Sequence, residues 1–267
     1  MIAPRAIKVL TLNIWNRGDP WNDRLQVIRA GLAEMRPDVV CLQEVLCLPD
    51  FDQMKLIAEG TGYHLAFGRD GEDHYPFGNA ILSRWPVTRT AVRALPRCGT
   101  DENRSVTFAA LATPFGSLPV FSTHLNWKFH HGHIRVQQVR ALVDFIDHEV
   151  ADGDLPAVLA GDFNAEPDSD EIRYLRGLTG LGGECVYFCD CWAAAGDGTP
   201  GATFVRRNPY AFAGSGNEPD RRIDYVFVRG PNDRQEGVAL ECGLVFANAV
   251  GNAWASDHLG VMAIIGV

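Results

Sequence analysis

The sequence predicts an α/β fold with four layers, an α/β/β/α sandwich of two packed mixed β-sheets flanked by helices. Short continuous apolar runs, typical of strands buried in a sheet, alternate with amphipathic helical patterns along the chain. Several runs in the middle lie too close together for helical crossovers, which favours antiparallel hairpins. The 267 residues are 46% hydrophobic, enough to bury two sheet faces and their covering helices.

The first elements are a strand at Ile7 to Leu12, an amphipathic helix, and a strand at Val39 to Gln43. The helix has apolar residues at steps of three and four, and Pro37 ends it. Those apolar positions are Trp21, Leu25, Ile28, Leu32 and Met35. A second, shorter helix is predicted at about Phe51 to Ala58.

The middle and the end of the chain are mostly strands. These are predicted at Tyr63 to Phe67, Ala80 to Ser83, Val87 to Leu95, Ser105 to Thr113, Leu118 to Thr123, Ala157 to Gly161, Tyr225 to Val228 and Leu259 to Ile265. A long helix is expected at about Ile134 to Glu149 and a short one at Asp170 to Leu175. The segment from Gly177 to Asp220 is rich in Gly, Pro and Asn but does not resemble a linker, so we predict one catalytic domain over residues 1–267.

Composition narrows the class of protein. The net charge of −9 and the pI of about 5.3 exclude a broad basic field for nucleic acid, although local basic patches remain open. The start, Met1 to Arg5, lacks a signal-peptide apolar region, and no apolar run approaches the length of a membrane span. We therefore expect a cytoplasmic protein without stable membrane insertion, and a monomer by default.

Cysteine usage argues against a disulfide framework or a zinc knuckle. The seven cysteines are an odd number, scattered along the chain without a C-x-x-C pair. Cys185, Cys189 and Cys191 cluster in sequence, and we predict that they are small, buried, reduced side chains.

Polar side chains that bind metals or transfer protons stand at the ends of the apolar runs. They are Asn13, Glu44, His124, Asp162 with Asn164, Asp224, and Asp257 with His258. Each alone has a structural interpretation: Glu44 as a solvated carboxylate, Asp162 and Asn164 as turn residues, or Asp224 as an ion-pair partner. Because strand ends are rigid, the whole set favours one acidic, imidazole-lined cleft.

The ordered set resembles the endonuclease/exonuclease/phosphatase superfamily, which has the DNase I-like fold. The matching motifs are Leu12-Asn13, Leu42-Gln43-Glu44-Val45, Thr123-His124-Leu125, Gly161-Asp162-Phe163-Asn164, Arg222-Ile223-Asp224-Tyr225 and Ser256-Asp257-His258. Within the superfamily the chain resembles bacterial sphingomyelinase-like, metal-dependent phosphoesterases. The signatures G-x-S-x-G, H-E-x-x-H and G-x-x-x-x-G-K-[ST] of other hydrolases are absent from the sequence.

The resemblance implies a role for each residue of the set. Glu44, Asn13 and Asp257 would hold Mg²⁺, with Mn²⁺ as a substitute, and the sequence leaves open whether one or two ions bind. Asp162 would orient or deprotonate the attacking water and Asn164 would fix the phosphate. Asp224 would set the state of His258, and His124 would supply a second imidazole near the phosphate.

The substrate is less defined than the chemistry. Candidate substrate contacts are Asn79, Arg104, Asn126 and Trp127. The segment from Trp127 to His133 is able to stack a base, hold a lipid or sugar headgroup, or only cap the following helix. We expect hydrolysis of a phosphodiester or phosphomonoester in a small-molecule or lipid-like substrate. The alternatives are a DNA or RNA nuclease and, from another class, a non-catalytic binding module that retains the fold.

Overall fold

Two packed β-sheets form the centre of the protein in a computed structural model that describes residues 5–71, 76–215 and 218–267. Met1–Pro4, part of the N-terminal stretch in which no signal sequence is expected, lie outside the described residues. The strands are β1 (Ala6–Asn13), β2 (Val39–Leu48), β3 (Phe51–Asp52), β4 (His64–Arg69), β5 (Phe77–Ser83), β6 (Val87–Ala94), β7 (Ser105–Thr113), β8 (Gly116–His124), β9 (Val158–Asp162), β10 (Cys189–Asp190), β11 (Asp224–Val228), β12 (Val238–Val245) and β13 (Gly260–Gly266).

Helices cover the outer faces of the sheets. They are α1 (Trp21–Met35), α2 (Gln53–Ala58), α3 (Gly132–Glu149), α4 (Asp170–Leu175), α5 (Cys191–Ala195) and α6 (Pro209–Ser215), with a 3₁₀ turn at Phe129–His131 before α3. No helix among the residues described above is both long and apolar enough to cross a membrane.

Both sheets are mixed. The first has the order β12-β13-β1-β2-β5-β4, with β3 paired to β2, and the second has the order β10-β11-β9-β8-β7-β6. β1 and β2 are parallel, as are β8 and β9, whereas the other pairings are antiparallel. The hairpins predicted in the middle of the chain are therefore present.

Three apolar clusters hold four layers together. The central cluster joins the facing sides of the two sheets, with Val9 and Cys41 from one and Val120 and Ala160 from the other. A second cluster packs α1 and α2 on the outer face of the first sheet, and a third packs α3 and α4 on the outer face of the second. The predicted four-layered sandwich is thus confirmed.

Several local predictions need correction. The predicted helix at Phe51 begins instead with the short strand β3, because the Asp52 side chain accepts a hydrogen bond from the Lys55 amide and starts α2 at Gln53. β10, β12, α5 and α6 were not predicted, since their apolar patterns are short or irregular. Among the clustered cysteines, Cys191 is buried but Cys185 is exposed, because it lies in a surface connection.

Side chains between the two sheets change from apolar to polar in the same direction along both. On β1 the inward series is Ile7, Val9, Thr11 and Asn13, and on β8 it is Leu118, Val120, Ser122 and His124. At the transition, the Thr11 hydroxyl donates to Gln43 Oε1 at 3.2 Å and Gln43 Nε2 donates to Ser122 Oγ at 3.2 Å. This polar end of the sandwich carries the candidate site.

Candidate active site

The ends of four strands bring the predicted polar side chains together. Asn13, His124 and Asp162 are the last residues of β1, β8 and β9, and Asp224 is the first residue of β11. Asn13 Nδ2 donates to Asp162 Oδ2 at 3.0 Å, which connects the first sheet directly to the second. All four side chains are buried, so their polar atoms depend on one another for hydrogen bonds.

Gly161 permits the close approach of β8 and β9 beside this site. A Cβ at position 161 would lie 2.0 Å from the carbonyl oxygen of Thr123, and the φ of 152° is one that residues with side chains rarely adopt. The glycine before Asp162 is therefore required by the strand pairing that places Asp162 beside His124.

Glu44 enters the site through a β-bulge. β2 continues to Leu48 rather than ending at Gln43 as predicted, and its register with β5 shifts between Leu42 and Val45. Glu44 has a φ of 57° in this bulge, so strict alternation of side chains is broken. The carboxylate is consequently directed to the site, where Glu44 Oε1 accepts from Asn13 Nδ2 at 3.2 Å.

The Asn13 side chain turns its NH₂ group toward the carboxylates of the site, and its role as a metal ligand stays a prediction. Its Oδ1 accepts a hydrogen bond from the Trp15 backbone N–H at 2.9 Å, and its NH₂ group faces Glu44 and Asp162. Asn13 therefore holds the two carboxylates in place. Asn16, which no sequence pattern marked, has a similar role because its Nδ2 donates to Glu44 Oε2 at 2.9 Å.

A buried arginine fixes the loop that carries Asn16. Arg24 on α1 has no exposed surface and donates to the backbone oxygens of Ile14, Trp15, Asn16, Gly18 and Ala255. Burial lowers its pKa to about 10, so the guanidinium remains charged at neutral pH. The positive charge of Arg24 attracts the carboxylates of Asp257 and Glu44, although its hydrogen bonds go to backbone oxygens.

Glu44 and Asp257 fit a divalent cation. Burial raises the pKa of Asp257 to about 6, and the nearby charge of Glu44 adds to that effect against the attraction of His258. Ser256 Oγ donates to Asp257 Oδ1 at 3.0 Å and holds the carboxylate in place. Two neighbouring carboxylates that repel each other supply the oxygen donors that Mg²⁺ prefers.

Asp162, Asp224 and His258 form a second group of possible metal ligands. One ligand atom each from Asp162, Asp224 and His258 lie within 4.8 Å of one another, a spacing that is also compatible with a metal ion. However, His258 Nδ1 and Asp224 Oδ2 are 2.9 Å apart and already paired, and Thr203 Oγ1 accepts from the Asp224 backbone N–H at 3.2 Å. Asp224 and His258 therefore form a carboxylate and imidazole pair beside Asp162.

The charge of Asp224 and the charges that Asp162 and His258 exert on each other change the pKa values of Asp162 and His258. Burial alone would lower the pKa of His258, but Asp224, Asp162 and Asp257 together raise it well above its usual value. Burial and the charge of Asp224 raise the pKa of Asp162 to about 7. A cationic His258 thus lies 3.8 Å from Asp162, whose proton affinity suits an acid or base near neutral pH.

His124 has a different environment. Its Nδ1 lies 3.2 Å from Arg104 Nη1, and its Nε2 lies 3.0 Å from Asn164 Nδ2 and 3.4 Å from Asp162 Oδ2. Burial and the charges of Arg104 and His258 hold the pKa of His124 well below its usual value. The imidazole is therefore neutral, in contrast to His258.

The predicted substrate contacts separate into two groups. Arg104 and Trp127 line the site cavity, whereas Asn79 and Asn126 are completely buried and are not among its lining residues. Asn79 Nδ2 donates to Asp70 Oδ1 at 3.1 Å, and Asn126 Oδ1 lies 2.8 Å from His131 Nδ1. Both amides form hydrogen bonds that connect neighbouring segments of the chain.

The cavity at this site has a volume of about 350 Å³. Its residues are Asn13, Glu44, Arg104, His124, Trp127, Phe129, Asp162, Asn164, Phe204, Glu218, Arg221, Ile223 and His258. Glu218 and Arg221 were not predicted as site residues. Arg221 pairs with Glu218 at 2.6 Å and lies 4.3 Å from the centre of the Phe129 ring. No local pattern marks the contact between Arg221 and Phe129, because it joins segments far apart in sequence.

Two packed mixed sheets flanked by helices, with carboxylates, amides and imidazoles at one end, are the arrangement of the DNase I-like fold. The chain belongs to the endonuclease/exonuclease/phosphatase family, whose pattern it matches over residues 10–258.

Individual relatives differ in what they act on. The chain is 27% identical to Protein angel of Drosophila melanogaster over 60% of its own length and 48% of the relative's. It is 24% identical to the inositol phosphosphingolipids phospholipase C of Schizosaccharomyces pombe, over 60% and 42% of the respective lengths. It therefore spans less than half the length of these two curated relatives.

A solved structure with a similar fold is D. rerio TDP2 complexed with a single-strand DNA product. The TM-score is 0.77 at 20% identity, covering 98% of this chain and 99% of the other. The fold and the family are thus shown, whereas the relatives leave the type of phosphoester open.

Proposed function

We propose that this protein is a Mg²⁺-dependent hydrolase of a small or lipid-like phosphate ester. The observation that supports this proposal is a single cavity of about 350 Å³ in which Glu44, Asp162, His124 and His258 converge. The volume is within the range of small-molecule sites. The relative that is a phosphosphingolipid phospholipase C is consistent with a lipid-like substrate.

In the proposed reaction, Glu44 and Asp257 would hold the cation, near Asn13 and Asn16, and the cation would supply positive charge to offset the negative charge of the phosphate. Asp162 orients the attacking water and accepts its proton, which its raised pKa favours. His258, kept cationic by Asp224, donates to a phosphoryl oxygen as negative charge develops there. Asn164 and His124, whose side chains lie 3.0 Å apart, contact the phosphate beside Asp162.

A nuclease acting on single strands is the second candidate. Trp127 and Phe129 are 52% and 55% exposed beside the cavity, and aromatic rings of this kind stack bases. Against it, the two arginines that line the cavity, Arg104 and Arg221, each pair with a glutamate, which leaves less positive charge for a polynucleotide backbone.

The deciding experiment compares phosphodiesters, phosphomonoesters, sphingolipid phosphoesters and single- and double-stranded DNA with Mg²⁺ or Mn²⁺. We expect turnover of a small or lipid-like ester, its loss with EDTA, and its recovery with added Mg²⁺. A kcat/KM for DNA that exceeds that for every small ester would support the nuclease. Absence of turnover on all substrates, with the fold intact, would favour a non-catalytic module.

A further inference from the structure

Arg104 contacts the catalytic imidazole rather than the open cavity alone. Its Nη1 lies 3.2 Å from His124 Nδ1, and its Nη2 lies 3.4 Å from Glu102 Oε2. The Arg104 side chain is only 11% exposed, so the guanidinium is held between these two partners. This position differs from the simple phosphate contact that the sequence suggested.

The chemistry of arginine gives this contact a direction. A guanidinium has five N–H donors and no acceptor, so a hydrogen bond between Arg104 and His124 requires a lone pair on His124 Nδ1. A proton on Nδ1 would instead point at a cation. Because a neutral imidazole carries one proton, that proton belongs on Nε2.

Asn164 does not impose the opposite tautomer. Its amide nitrogen lies 3.0 Å from His124 Nε2 and 3.1 Å from the Leu125 carbonyl oxygen. Rotating the Asn164 amide by half a turn would give Nε2–H an acceptor, at the cost of the hydrogen bond to the Leu125 carbonyl, whereas Arg104 has no acceptor in any orientation. Asp162 Oδ2, 3.4 Å from Nε2, is a further acceptor on that side.

Glu102 keeps the arginine in place. Its Oε1 accepts from the Trp127 indole N–H at 2.8 Å while its Oε2 pairs with Arg104. Trp127 lies on the rim of the cavity, so a continuous chain of polar contacts runs from an exposed ring through Glu102 and Arg104 to His124. The loop that carries Glu102 and Arg104 is thereby tied to the segment after His124.

We propose that Arg104 is a positioning residue that fixes His124 as the neutral imidazole with its proton on Nε2, directed at Asp162 and the reacting phosphate, and that Glu102 holds Arg104 for this purpose. The catalytic consequence rests on the proposed function, but the tautomer does not. His124 then serves as a neutral hydrogen-bond donor to a phosphoryl oxygen, and His258 supplies the positive charge.

The test is ¹⁵N NMR of the histidine side chains in the whole protein, with His124 assigned by the loss of its signals in His124→Asn. Protonated and unprotonated ring nitrogens have well-separated shifts, so the tautomer is read without any assay of activity. We expect the wild-type protein to have a protonated Nε2 and an unprotonated Nδ1 at position 124. Arg104→Met should introduce the Nδ1–H tautomer, and Glu102→Gln should do so to a smaller extent.

Arg29→Met is the matched control, because Arg29 forms an ion pair with Glu59 on a remote surface. It should leave the His124 signals unchanged. In an active preparation, Arg104→Met should lower kcat roughly 10-fold, equivalent to about 1.4 kcal/mol, with a smaller effect on KM.

A wild-type His124 with its proton on Nδ1 would overturn the proposal even if Arg104→Met did not fold. So would a folded Arg104→Met protein with the wild-type tautomer, and a raised KM in that variant would then identify Arg104 as a phosphate contact instead. If the tautomer is as expected but no phosphoester is turned over, the proposed function fails while the Arg104 inference stands.

Discussion

At the scale of single residues, the two imidazoles of the site differ in the charged groups that surround them. His258 faces carboxylates and is held cationic, whereas His124 faces a guanidinium and is held neutral. Asp162 lies between them at 3.8 and 3.4 Å. Two histidines in one cavity thus favour opposite protonation states, because the charges around them differ.

Glu44→Gln tests the metal assignment. The substitution keeps the size of the side chain and removes its charge, so kcat/KM should fall by more than roughly 100-fold. Loss of a residue that only hydrogen-bonds to a metal ligand already lowers metal affinity or activity by about 10- to 100-fold. Circular dichroism should remain unchanged, and the Mg²⁺ concentration needed for half-maximal rate should rise. The matched control is Glu34→Gln on the exposed face of α1. Wild-type turnover and Mg²⁺ dependence in Glu44→Gln would contradict the assignment.

The pair of Asp224 and His258 should behave as one unit. Their atoms are 2.9 Å apart, so either loss removes the function of both. We expect the double variant Asp224→Asn/His258→Ala to be little slower than the slower single variant. Steady-state kcat values of the four proteins of the cycle provide the measurement. Multiplication of the two single effects would show that the residues act independently.

At the scale of elements, strand pairing and one bulge create the site. β8 and β9 run in parallel with His124 opposite Asp162, whereas β2 departs from regular pairing to direct Glu44 inward. The regular pair and the irregular strand have complementary roles. One sets the distance between catalytic side chains, and the other brings in a carboxylate that alternation would have placed on the opposite face.

Gly161→Ala tests the pairing of β8 and β9. The added methyl group would meet the Thr123 carbonyl oxygen, so we expect a loss of roughly 3 kcal/mol or more in the free energy of unfolding. Urea denaturation measures this change. Gly243→Ala in β12 is the control, because its methyl group would have nothing within 4 Å, and it should change stability little. Equal stability of the two variants would mean that the strands separate at little cost.

The segment Trp127–His133 tests substrate choice. Trp127→Ala with Phe129→Ala should lower kcat/KM for the preferred substrate by roughly 10-fold or more, equivalent to about 1.4 kcal/mol, because contacts with the non-reacting part of a substrate contribute to transition-state binding. Hydrolysis of bis-p-nitrophenyl phosphate should remain nearly unchanged. Tyr187→Ala removes an equally exposed ring away from the cavity and serves as control.

Two outcomes would argue against that role. An equal loss on both substrates would mean that the segment supports the fold or the metal site. An unchanged rate on both would make it a loop without substrate contact.

At the scale of the whole molecule, the interface between the two sheets has an apolar end and a polar end. The apolar end contributes the central core, and the polar end carries carboxylates whose repulsion opposes folding in the absence of a cation. Binding of a cation there is expected to stabilise the entire protein, because a ligand that binds only the folded state shifts the unfolding equilibrium.

Mg²⁺ should therefore raise the melting temperature. At 100 times its Kd, the gain is about 2.7 kcal/mol, which corresponds to several degrees in a protein of this size. Differential scanning calorimetry with Mg²⁺ and with EDTA measures the shift, and Glu44→Gln should abolish most of it. An equal shift in the variant would place the cation elsewhere.

Much of the fold followed from local sequence patterns. The periodicity of Trp21, Leu25 and Ile28 predicted α1, and alternating or continuous apolar runs predicted most strands, because the side-chain period belongs to each element separately. Strand ends at Asn13, His124 and Asp162 were predictable for the same reason. The resemblance of the ordered motifs to the endonuclease/exonuclease/phosphatase superfamily then implied phosphoester chemistry, although the substrate remained open.

The tertiary structure alone decided how those side chains face one another. The bulge at Glu44 depends on pairing with β5, and the burial of Asn79 and Asn126 depends on segments that pack over them. The direction of the Arg104 contact with His124, and the presence of Asn16 at Glu44, arise where loops meet. Periodicity reports the face of an element to which a side chain belongs, whereas hydrogen-bond direction and charge coupling depend on atoms supplied by distant parts of the chain.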